Sequence, residues 1–375
     1  MQFSTLQIHQ ESKNWLINTV NNKRLPHALL LRGEDGIGKL ALCNAIAQYL
    51  NCLDKSPTDS CGKCSSCHKI QKGIHPDIQY IFPYFIKTEN NKPLTTLDYI
   101  EDFRKHFFEN PYITLNDWQE AIEAENKNLI IPIDEVRNIR KNLNLTAYES
   151  QYRIIILWHI EKLNVNATNA FLKLLEEPPE DTIILATTNP TATLLPTINS
   201  RCQTLNFKPL NTEQIKSYLI TNNSITETQA NDISHLAEGS IGKALQLMKN
   251  IQEGLSTNYQ NWMRICWQGI PENITNWTQE NSKLPKENLR NFFQFILYKL
   301  RDAILLKYDS ATLVLSNETE VDFLKKFTNT LSTNALEQIT HLIELSLFHL
   351  SRNANPQLLL HALTLNINSI MQVSK

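Results

Sequence analysis

Short apolar runs alternate with helix-like segments in the first half of the chain. Residues 27–32 (HALLLR), 153–160 (RIIILWHI) and 182–188 (TIILATT) are aliphatic and have the length of buried strands. Between the second and third runs, apolar residues recur at helical intervals until Pro178 and Pro179, which end the helix because proline cannot donate the next backbone hydrogen bond. This alternation predicts a parallel sheet covered by helices on both faces.

The pattern changes after Pro209. From there the chain has the spacing of successive amphipathic helices, most clearly over residues 289–304 and 336–350. The glycines of residues 237–245 (AEGSIGKAL) predict a turn between helices, and the polar residues 252–260 predict a linker. We therefore expect three domains: an α/β core over residues 1–208, a small all-α domain over 209–252 and a second all-α domain over 253–375.

A segment of mixed character interrupts the predicted core at about residues 84–128. It combines aromatic residues, such as Phe103, Phe107 and Trp118, with charges of both signs. Its sequence indicates no function.

Composition and charge narrow the classes of function. The 375 residues are 42% hydrophobic and 20% charged, an ordinary globular composition. With 36 Lys and Arg against 38 Asp and Glu the net charge is -2, so any contact with DNA must be local. No stretch approaches the roughly 18 apolar residues of a membrane span, and the first residues lack the pattern of a signal peptide. We expect a cytoplasmic protein without a membrane partner.

The segment GEDGIGKL, residues 33–40, lies between a predicted strand and a predicted helix, which is the context of a phosphate-binding loop. In such a loop Ser or Thr follows the lysine and its hydroxyl binds Mg²⁺, but this chain has Leu40. Metal-assisted hydrolysis is therefore disfavoured. Two possibilities remain for the loop: it binds ATP or ADP, or it is a turn that binds nothing. The residues that would contact phosphate are Gly33, Gly36, Gly38 and Lys39.

A second defect concerns the acids that hold the metal and position the attacking water. In proteins that hydrolyse ATP on this kind of sheet, these acids end a hydrophobic strand. Here the corresponding positions are Trp158 and His159. The nearest acid, Glu161, lies beyond the predicted strand end and is the alternative candidate for their role. Because in-line phosphoryl transfer depends on geometry, we expect no ATPase activity of the chain's own.

Four of the seven cysteines lie in one short window with the spacing C-x8-C-x2-C-x2-C. Four thiolates around one tetrahedral Zn²⁺, at about 2.3 Å each, leave no open position, which is typical of a structural site. The predicted ligands are Cys52, Cys61, Cys64 and Cys67, with His68 or His75 as alternatives for one thiolate and four reduced cysteines as the alternative to a metal site. We expect Cys43, Cys202 and Cys266 to be buried or incidental thiols.

Arg201 follows the last predicted strand and a short helix, in the segment LLPTINSRCQ. One interpretation is a surface ion pair, the common state of an exposed arginine. The other is an arginine finger, whose guanidinium stabilises the charge that develops on ATP bound by a neighbouring subunit.

Together these segments resemble the clamp-loader branch of the AAA+ family, and within it the delta-prime family of bacterial DNA polymerase III subunits. The matching pieces span most of the chain: HALLLRGEDGIGK, the four-cysteine module, GIHPDIQYI, NAFLKLLEEPPEDTIILATTNP, LLPTINSRCQ, GSIGKAL and NANPQLLLHALTL. The resemblance implies an AAA+ core carrying the zinc module, a helical lid and a helical collar. It also implies membership of a five-membered ring that loads the sliding clamp onto primed DNA.

The resemblance implies roles for individual residues. Arg201 is similar to the finger offered to the ATP site of an adjacent gamma/tau motor subunit, and Thr188 or Asn189 matches the sensor position that ends the last core strand. The lid's sensor arginine is missing, because its position is Gly242 and Lys243 lies one residue away. This third missing element favours a delta-prime-type subunit, with gamma/tau and delta subunits as partners, over the alternative of an ATP-hydrolysing gamma/tau-type motor.

Overall fold

The computed structural model describes residues 1–6, 9–89, 92–124, 127–143, 147–223, 225–252, 255–308 and 318–373. The chain divides into two compact units. The first consists of Met1–Gln214 and Gly239–Lys243, and the second of Ile215–Glu238 and Ala244–Lys375. The predicted division into three domains stays a prediction.

The first unit is built on a parallel sheet. Its strands are β1 (Ala28–Arg32), β2 (Ile78–Ile81), β5 (Arg153–Leu157), β6 (Thr182–Thr188) and β7 (Gln203–Asn206), and a separate antiparallel pair consists of β3 (Thr88–Glu89) and β4 (Lys92–Pro93). The strand order is β2-β5-β6-β1-β7, and every neighbouring pair is parallel. The crossovers and other connections contain α1 (Gln10–Asn21), α2 (Lys39–Leu50), α3 (Ser65–Gln71), α4 (Ile100–Glu109), α5 (Leu115–Ala121), α6 (Ile133–Leu143), α7 (Val165–Glu176) and α8 (Pro196–Asn199).

Side chains of the strands alternate between two buried cores. Leu29 and Leu31 of β1 pack in one core with residues of α1, α2 and α4, whereas Leu30 packs in another with residues of α6 and α7. A strand buried on both faces has no polar face, which is why these segments are continuous aliphatic runs. The predicted α/β fold class, a parallel sheet with helices on both faces, is confirmed.

The strand predicted over residues 153–160 is shorter in the structure. β5 ends at Leu157, and His159 has a φ of 58° in the left-handed region, which breaks the extended backbone. The backbone N–H of His159 donates to the Thr187 hydroxyl at 3.0 Å, so a contact with the neighbouring strand holds this bend.

The insert at residues 84–128 packs against the sheet through its aromatic residues. Phe103 of α4 stacks on Phe82 with ring centroids 4.1 Å apart and lies 6.0 Å from Trp158. Trp118 of α5 contacts Phe103 edge to face at 5.7 Å and donates its indole N–H to the Pro83 carbonyl at 2.7 Å. The described part of this insert therefore covers one face of the sheet and extends its core.

Beyond β7 the described residues are helical, as predicted. The helices are α9 (Thr212–Asn223), α10 (Glu227–Leu236), α11 (Ile241–Gln252), α12 (Leu255–Gln268), α13 (Pro271–Asn281), α14 (Lys286–Lys307), α15 (Glu318–Thr330), α16 (Thr333–Ser351) and α17 (Pro356–Val373). The predicted turn lies between α10 and α11. Among all the helices of the described ranges, none is long and apolar enough to cross a membrane.

The predicted linker over residues 252–260 is wrong for its described part. α12 begins at Leu255, and Tyr259 is buried because its ring packs edge to face with Phe295 and Phe323, each with centroids 5.9 Å apart. Of the polar residues in this segment, Thr257 is exposed, whereas Asn258 is half-buried and accepts from the Trp277 indole N–H at 3.0 Å.

Candidate functional site

The glycine-rich loop connects β1 to α2, as the sequence predicts. Gly36 and Gly38 have φ values of 73° and 91°, a region that glycine enters without steric cost. The N–H of Gly33 donates to the carbonyl of Thr188 at 3.1 Å, which ties the start of the loop to the end of β6. The chain thus retains the strand-loop-helix geometry of a phosphate loop.

Lys39 is hydrogen-bonded to its own loop. Its side chain is buried, and its Nζ donates to the carbonyl oxygens of Gly33 at 2.6 Å and Glu34 at 2.5 Å. Burial lowers the pKa of Lys39, and the nearby carboxylates of Asp35 and Glu161 oppose that shift. Two of the three ammonium donors are therefore engaged by backbone oxygens of the loop.

Leu40, which stands where a magnesium-binding hydroxyl would be expected, belongs to a hydrophobic core. It is 3% exposed and packs in the same cluster as Leu29, Trp158 and Phe103. The position is therefore apolar in its surroundings as well as in its side chain.

The end of β5 carries a histidine at a position where an ATP-hydrolysing protein would have an acid. His159 is fully buried, with Nδ1 2.9 Å from Glu161 Oε1 and Nε2 3.3 Å from Asp35 Oδ1. Asp35 is a residue of the glycine-rich loop, so this pair joins the loop to the strand two positions away in the sheet. The imidazole lies between two carboxylates.

The charges of this cluster stabilise one another. Burial alone would lower the pKa of His159, but the charges of Asp35 and Glu161 raise it. Burial alone would raise the pKa of Asp35, but His159 and then Lys39 lower it to about 2. The pKa of Glu161 is likewise lowered by His159 against the effect of burial. At neutral pH the glycine-rich loop therefore lies beside two ionised carboxylates, Asp35 of the loop itself and Glu161 after β5.

Residues 239–243 of the first unit lie directly on the loop. The N–H of Gly242 donates to the Gly36 carbonyl at 2.9 Å, and the Ser240 hydroxyl donates to the Asp35 carbonyl at 2.6 Å. A Cβ at position 242 would lie 2.4 Å from the Tyr112 carbonyl oxygen and 2.7 Å from Gly36 Cα. This contact leaves no room for a side chain where a sensor arginine was expected, which gives a physical reason for the glycine.

The insert also contacts the loop. The N–H of Leu115, the first residue of α5, donates to Asp35 Oδ2 at 2.7 Å. Thr114 and Asp117 form a reciprocal capping box at this helix start, which fixes the position of that N–H. Asp35 is therefore held by the insert on one side and by His159 on the other.

The four predicted cysteines come together in the structure. The sulfur atoms of Cys52, Cys61, Cys64 and Cys67 all lie within 4.8 Å of one another, a set that could hold a metal ion. The Cys61 and Cys67 sulfurs are 3.9 Å apart, close to the roughly 3.8 Å that a tetrahedral site with 2.3 Å bonds requires. Backbone N–H groups of Cys61, Cys64 and Cys67 donate to the sulfurs of Cys52, Cys61 and Cys64, respectively, at 3.2–3.4 Å. The donor set and spacing therefore fit a closed thiolate site.

The histidine alternatives for the fourth ligand are not in this cluster. His75 is buried elsewhere, with Nε2 3.0 Å from the Ser150 hydroxyl and Nδ1 accepting from the Asp77 N–H at 3.2 Å. Cys52 completes the group that the described residues form. The remaining cysteines, Cys43, Cys202 and Cys266, are buried, as expected for incidental thiols.

Arg201 follows α8 and is about one-third exposed. Its Nη2 lies 2.7 Å from Glu176 Oε1, and its Nη1 donates to the Thr197 carbonyl at 3.1 Å. The surface ion pair considered from the sequence is therefore present, and the role of an arginine finger stays a prediction.

The candidate sensor residues lie at the end of β6. Thr188 is buried beside the loop, and the buried side-chain oxygen of Asn189 has no hydrogen-bond partner among the residues that the structure describes. Sequence reasoning missed two other participants, Asp35 and Glu176. The signal for Asp35 was its position, because an acid inside a phosphate-binding loop can neutralise the positive charge that phosphate would otherwise meet. Nothing in the sequence indicated that Glu176 pairs with Arg201.

Comparison with known proteins places this site in a family. A family model described as DNA polymerase III, delta subunit, matches residues 8–211, more than half of the chain. The delta-prime subunit of Bacillus subtilis DNA polymerase III is 27% identical over 63% of this chain and 57% of the relative, and the B. subtilis tau subunit is 28% identical over 62% and 34%. These matches thus cover less than two-thirds of either relative.

A gamma subunit-related protein of Thermotoga maritima, known from a crystal structure, aligns over 96% of this chain and 99% of its own length, with a TM-score of 0.40 and 16% identity. The family assignment rests on the family model and the curated relatives. The chain belongs to the DNA polymerase III delta-subunit family that this model describes, and it is similar to delta-prime and tau subunits.

Proposed function

We propose that this chain is one subunit of a cytoplasmic clamp loader. The subunit itself does not hydrolyse ATP. In that role it joins gamma/tau and delta subunits in a pentameric ring that loads the sliding clamp on primed DNA. The observation that carries the proposal is the state of the phosphate loop. Its lysine is bonded to its own backbone, its carboxylate Asp35 pairs with His159, and the backbone of Gly242 lies on Gly36.

This arrangement opposes nucleotide binding through charge and space. A triphosphate brought to the loop would meet the carboxylates of Asp35 and Glu161, whose low pKa values keep them ionised. It would also have to break the Lys39 bonds to the loop. Bound ATP would still lack the magnesium-binding hydroxyl that Leu40 replaces.

The test is ATP binding and steady-state hydrolysis by the purified full chain with Mg²⁺ and primed DNA. We expect no turnover above background, with a purified gamma/tau subunit as the positive control. Turnover that disappears in Lys39→Ala would overturn the proposal and support the gamma/tau-type motor instead. Binding without turnover would mean that the loop retains nucleotide as a ligand.

We further propose that Arg201 acts on the ATP of the neighbouring motor subunit. Its guanidinium lies on the surface and contacts Glu176, the Thr197 carbonyl and the Ser200 hydroxyl, contacts that an incoming phosphate could replace. An arginine finger contributes on the order of 10³-fold or more to the rate at the site it serves.

The test uses the reconstituted complex. Arg201→Ala should leave ring assembly unchanged by gel filtration but slow ATP turnover at one site and clamp loading. Arg137→Ala is the matched control, because Arg137 is also an exposed arginine in an ion pair, 3.1 Å from Asp134. Equal effects of the two variants, or none from Arg201→Ala, would remove the finger assignment.

We propose that the four cysteines hold a structural Zn²⁺. Burial raises the pKa of Cys52 and of Cys67, so binding would displace thiol protons. Once bound, the ion would link the end of α2 to the start of α3 and leave no position for substrate. Metal analysis of protein purified without added metal should give about one zinc per chain, and a value near zero after reconstitution in excess zinc would reject the site.

A further inference from the structure

The edge of the sheet formed by β2 borders a cavity of about 480 Å³. Residues of α4 and α6 form its other walls. The volume is within the roughly 300–1,000 Å³ range of ligand-binding pockets. None of its lining residues belongs to the glycine-rich loop, the cysteine cluster or the surroundings of Arg201.

The outer side of β2 offers backbone groups for hydrogen bonding. Ile154 N–H donates to the Asp77 carbonyl and Trp158 N–H to the Ile81 carbonyl, so alternate residues 77, 79 and 81 face β5. Ile78 and Tyr80 consequently direct their backbone groups outward. The Ile78 N–H is satisfied by the His75 carbonyl at 3.1 Å.

Three outward groups remain on this edge: the Ile78 carbonyl and both the N–H and the carbonyl of Tyr80. They have no partner among the residues that the structure describes. Tyr80 is only 8% exposed, so its backbone groups are poorly placed to bind bulk water. Unpaired groups on a strand edge are a template for another strand.

Two cations flank this edge. Arg104 of α4 donates from Nε to the Gly73 carbonyl at 2.8 Å, which fixes its guanidinium at the cavity wall. The terminal nitrogens of Arg104 have no acceptor among the described residues. Lys141 of α6 lines the cavity from the other helix and is exposed.

The acid in the described lining, Glu135, does not neutralise these cations. Its Oε1 accepts from the Tyr84 hydroxyl and from the Thr96 N–H, each at 2.9 Å, and its Oε2 accepts from the Thr96 hydroxyl. Burial lowers the pKa of His75, so that side chain adds no charge at neutral pH. The cavity therefore favours an acidic ligand.

The rim of the cavity is apolar. Ile74 is 50% exposed and Leu97 77% exposed, and both line the cavity beside the unpaired edge. Exposed aliphatic side chains next to an open strand edge provide contacts for alternate side chains of an added strand.

We propose that the β2 edge binds an extended, acidic segment of a partner protein by strand addition. The segment's backbone accepts from Tyr80 N–H and donates to the carbonyls of Ile78 and Tyr80. Its acidic side chains pair with Arg104 and Lys141, and its apolar side chains cover the rim. A nucleic acid would satisfy the cations but not the two backbone carbonyls, which require N–H donors at the spacing of a peptide. β2 is about 13 Å long, so four or five residues pair with it.

The experiment selects peptides of about twelve residues from a random displayed library on the full chain, a length that exceeds the paired stretch. We expect β-branched and acidic residues to alternate in the selected peptides. Binding of the best synthetic peptide is then measured by fluorescence anisotropy, with and without N-methylation of its backbone amides. Methylation at the pairing positions should abolish binding, and bound peptide should slow amide hydrogen exchange at Tyr80 by at least about tenfold.

Charge variants separate this site from general attraction. The double variant Arg104→Glu, Lys141→Glu should raise the Kd for the peptide by about tenfold or more, since both charge pairs become repulsive. Lys105→Glu with Arg140→Glu, on the same helices but outside the lining, should change it less than twofold. If the first double variant does not fold, Lys141→Glu alone tests the same point, because Lys141 is exposed.

Several outcomes would overturn the proposal. These are selection of helical or proline-rich peptides, equal effects of the two charge variants, unchanged hydrogen exchange at Tyr80, and tighter binding of a single-stranded oligonucleotide than of any peptide. None of these measurements involves ATP or other subunits. Their failure is therefore distinguishable from failure of the clamp-loader function proposed above.

Discussion

Replacing His159 with glutamine removes the titratable imidazole from a buried cluster of ionisable side chains. His159 lies 2.9 Å from a Glu161 oxygen and 3.3 Å from an Asp35 oxygen, so the variant leaves two carboxylates near each other without the imidazolium between them. Removal of one partner of a buried ion pair costs about 3–5 kcal/mol. Since the two carboxylates are 15% and 21% exposed, we expect the lower end, about 3 kcal/mol, in the free energy of unfolding of the first unit.

The pH dependence of this loss follows from the direction of each pKa shift. The pKa of His159 is raised above 6.5, so its contribution is complete below that pH and is lost as pH rises through the folded-state value. The pKa values of Asp35 and Glu161 are lowered from 3.8 and 4.5, so their contributions are complete above those values and are lost as pH falls. The difference between native protein and variant should therefore be largest between about pH 4.5 and 6.5 and smaller at about pH 9. Lys39 also faces the cluster, but it is present in both proteins.

Amide hydrogen exchange in β5 and β6 measures this difference in the full chain, because these central strands exchange only when the first unit opens. His75→Gln is the matched control, since His75 is also buried beside a carboxylate, with Nε2 3.3 Å from Glu149 Oε1. Burial lowers the pKa of His75, so its contribution is complete above pH 6.5 and is lost as pH falls. A His159→Gln penalty that stays constant or increases toward pH 9 would refute the ion-pair interpretation.

Three further substitutions test the replaced positions and the metal site. Gly242→Ala would place a Cβ 2.4 Å from the Tyr112 carbonyl oxygen. We expect the free energy of unfolding to fall by about 2–4 kcal/mol, measured by the same hydrogen exchange, and unchanged stability would contradict that contact. Leu40→Thr restores a hydroxyl but should lower the free energy of unfolding by about 2 kcal/mol through lost core packing. It should give no ATP turnover, because Lys39 stays bonded to its loop, and turnover above background would contradict this. Cys67→Ser should reduce bound zinc from about one ion per chain to background by elemental analysis, whereas Cys43→Ser should not; equal zinc in both would contradict the ligand assignment.

Much of the fold could be predicted because its signals are local. β6 coincides with the predicted run at residues 182–188, since a strand buried on both faces is aliphatic throughout. The end of β5 could not be predicted in this way, because the left-handed backbone of His159 is held by a hydrogen bond to Thr187 on another strand. The start of α12 was missed because polar residues on one face of a helix resemble those of a linker.

The candidate site shows the same division between local and distant signals. The loop glycines, Lys39 and the four cysteines are recognisable from spacing alone. The pairing of Asp35 with His159 depends on the strand order, which brings the loop after β1 next to the end of β5. The contact of Gly242 with Gly36 joins segments still further apart in sequence, and neither residue type indicates its partner.

The three positions that lack catalytic groups also stabilise the fold. Leu40 and Trp158 pack in the core, and Gly242 allows a backbone contact with the loop. Restoring the groups as Leu40→Thr, Trp158→Asp and Gly242→Arg should cost about 2, 3–5 and 2–4 kcal/mol, respectively. The combined loss, about 7–11 kcal/mol if the effects add, is comparable to the whole 5–15 kcal/mol stability of a typical domain. We therefore expect the triple variant to unfold in its first unit rather than to hydrolyse ATP, and a folded, active triple variant would show that these residues are replaceable without structural consequence.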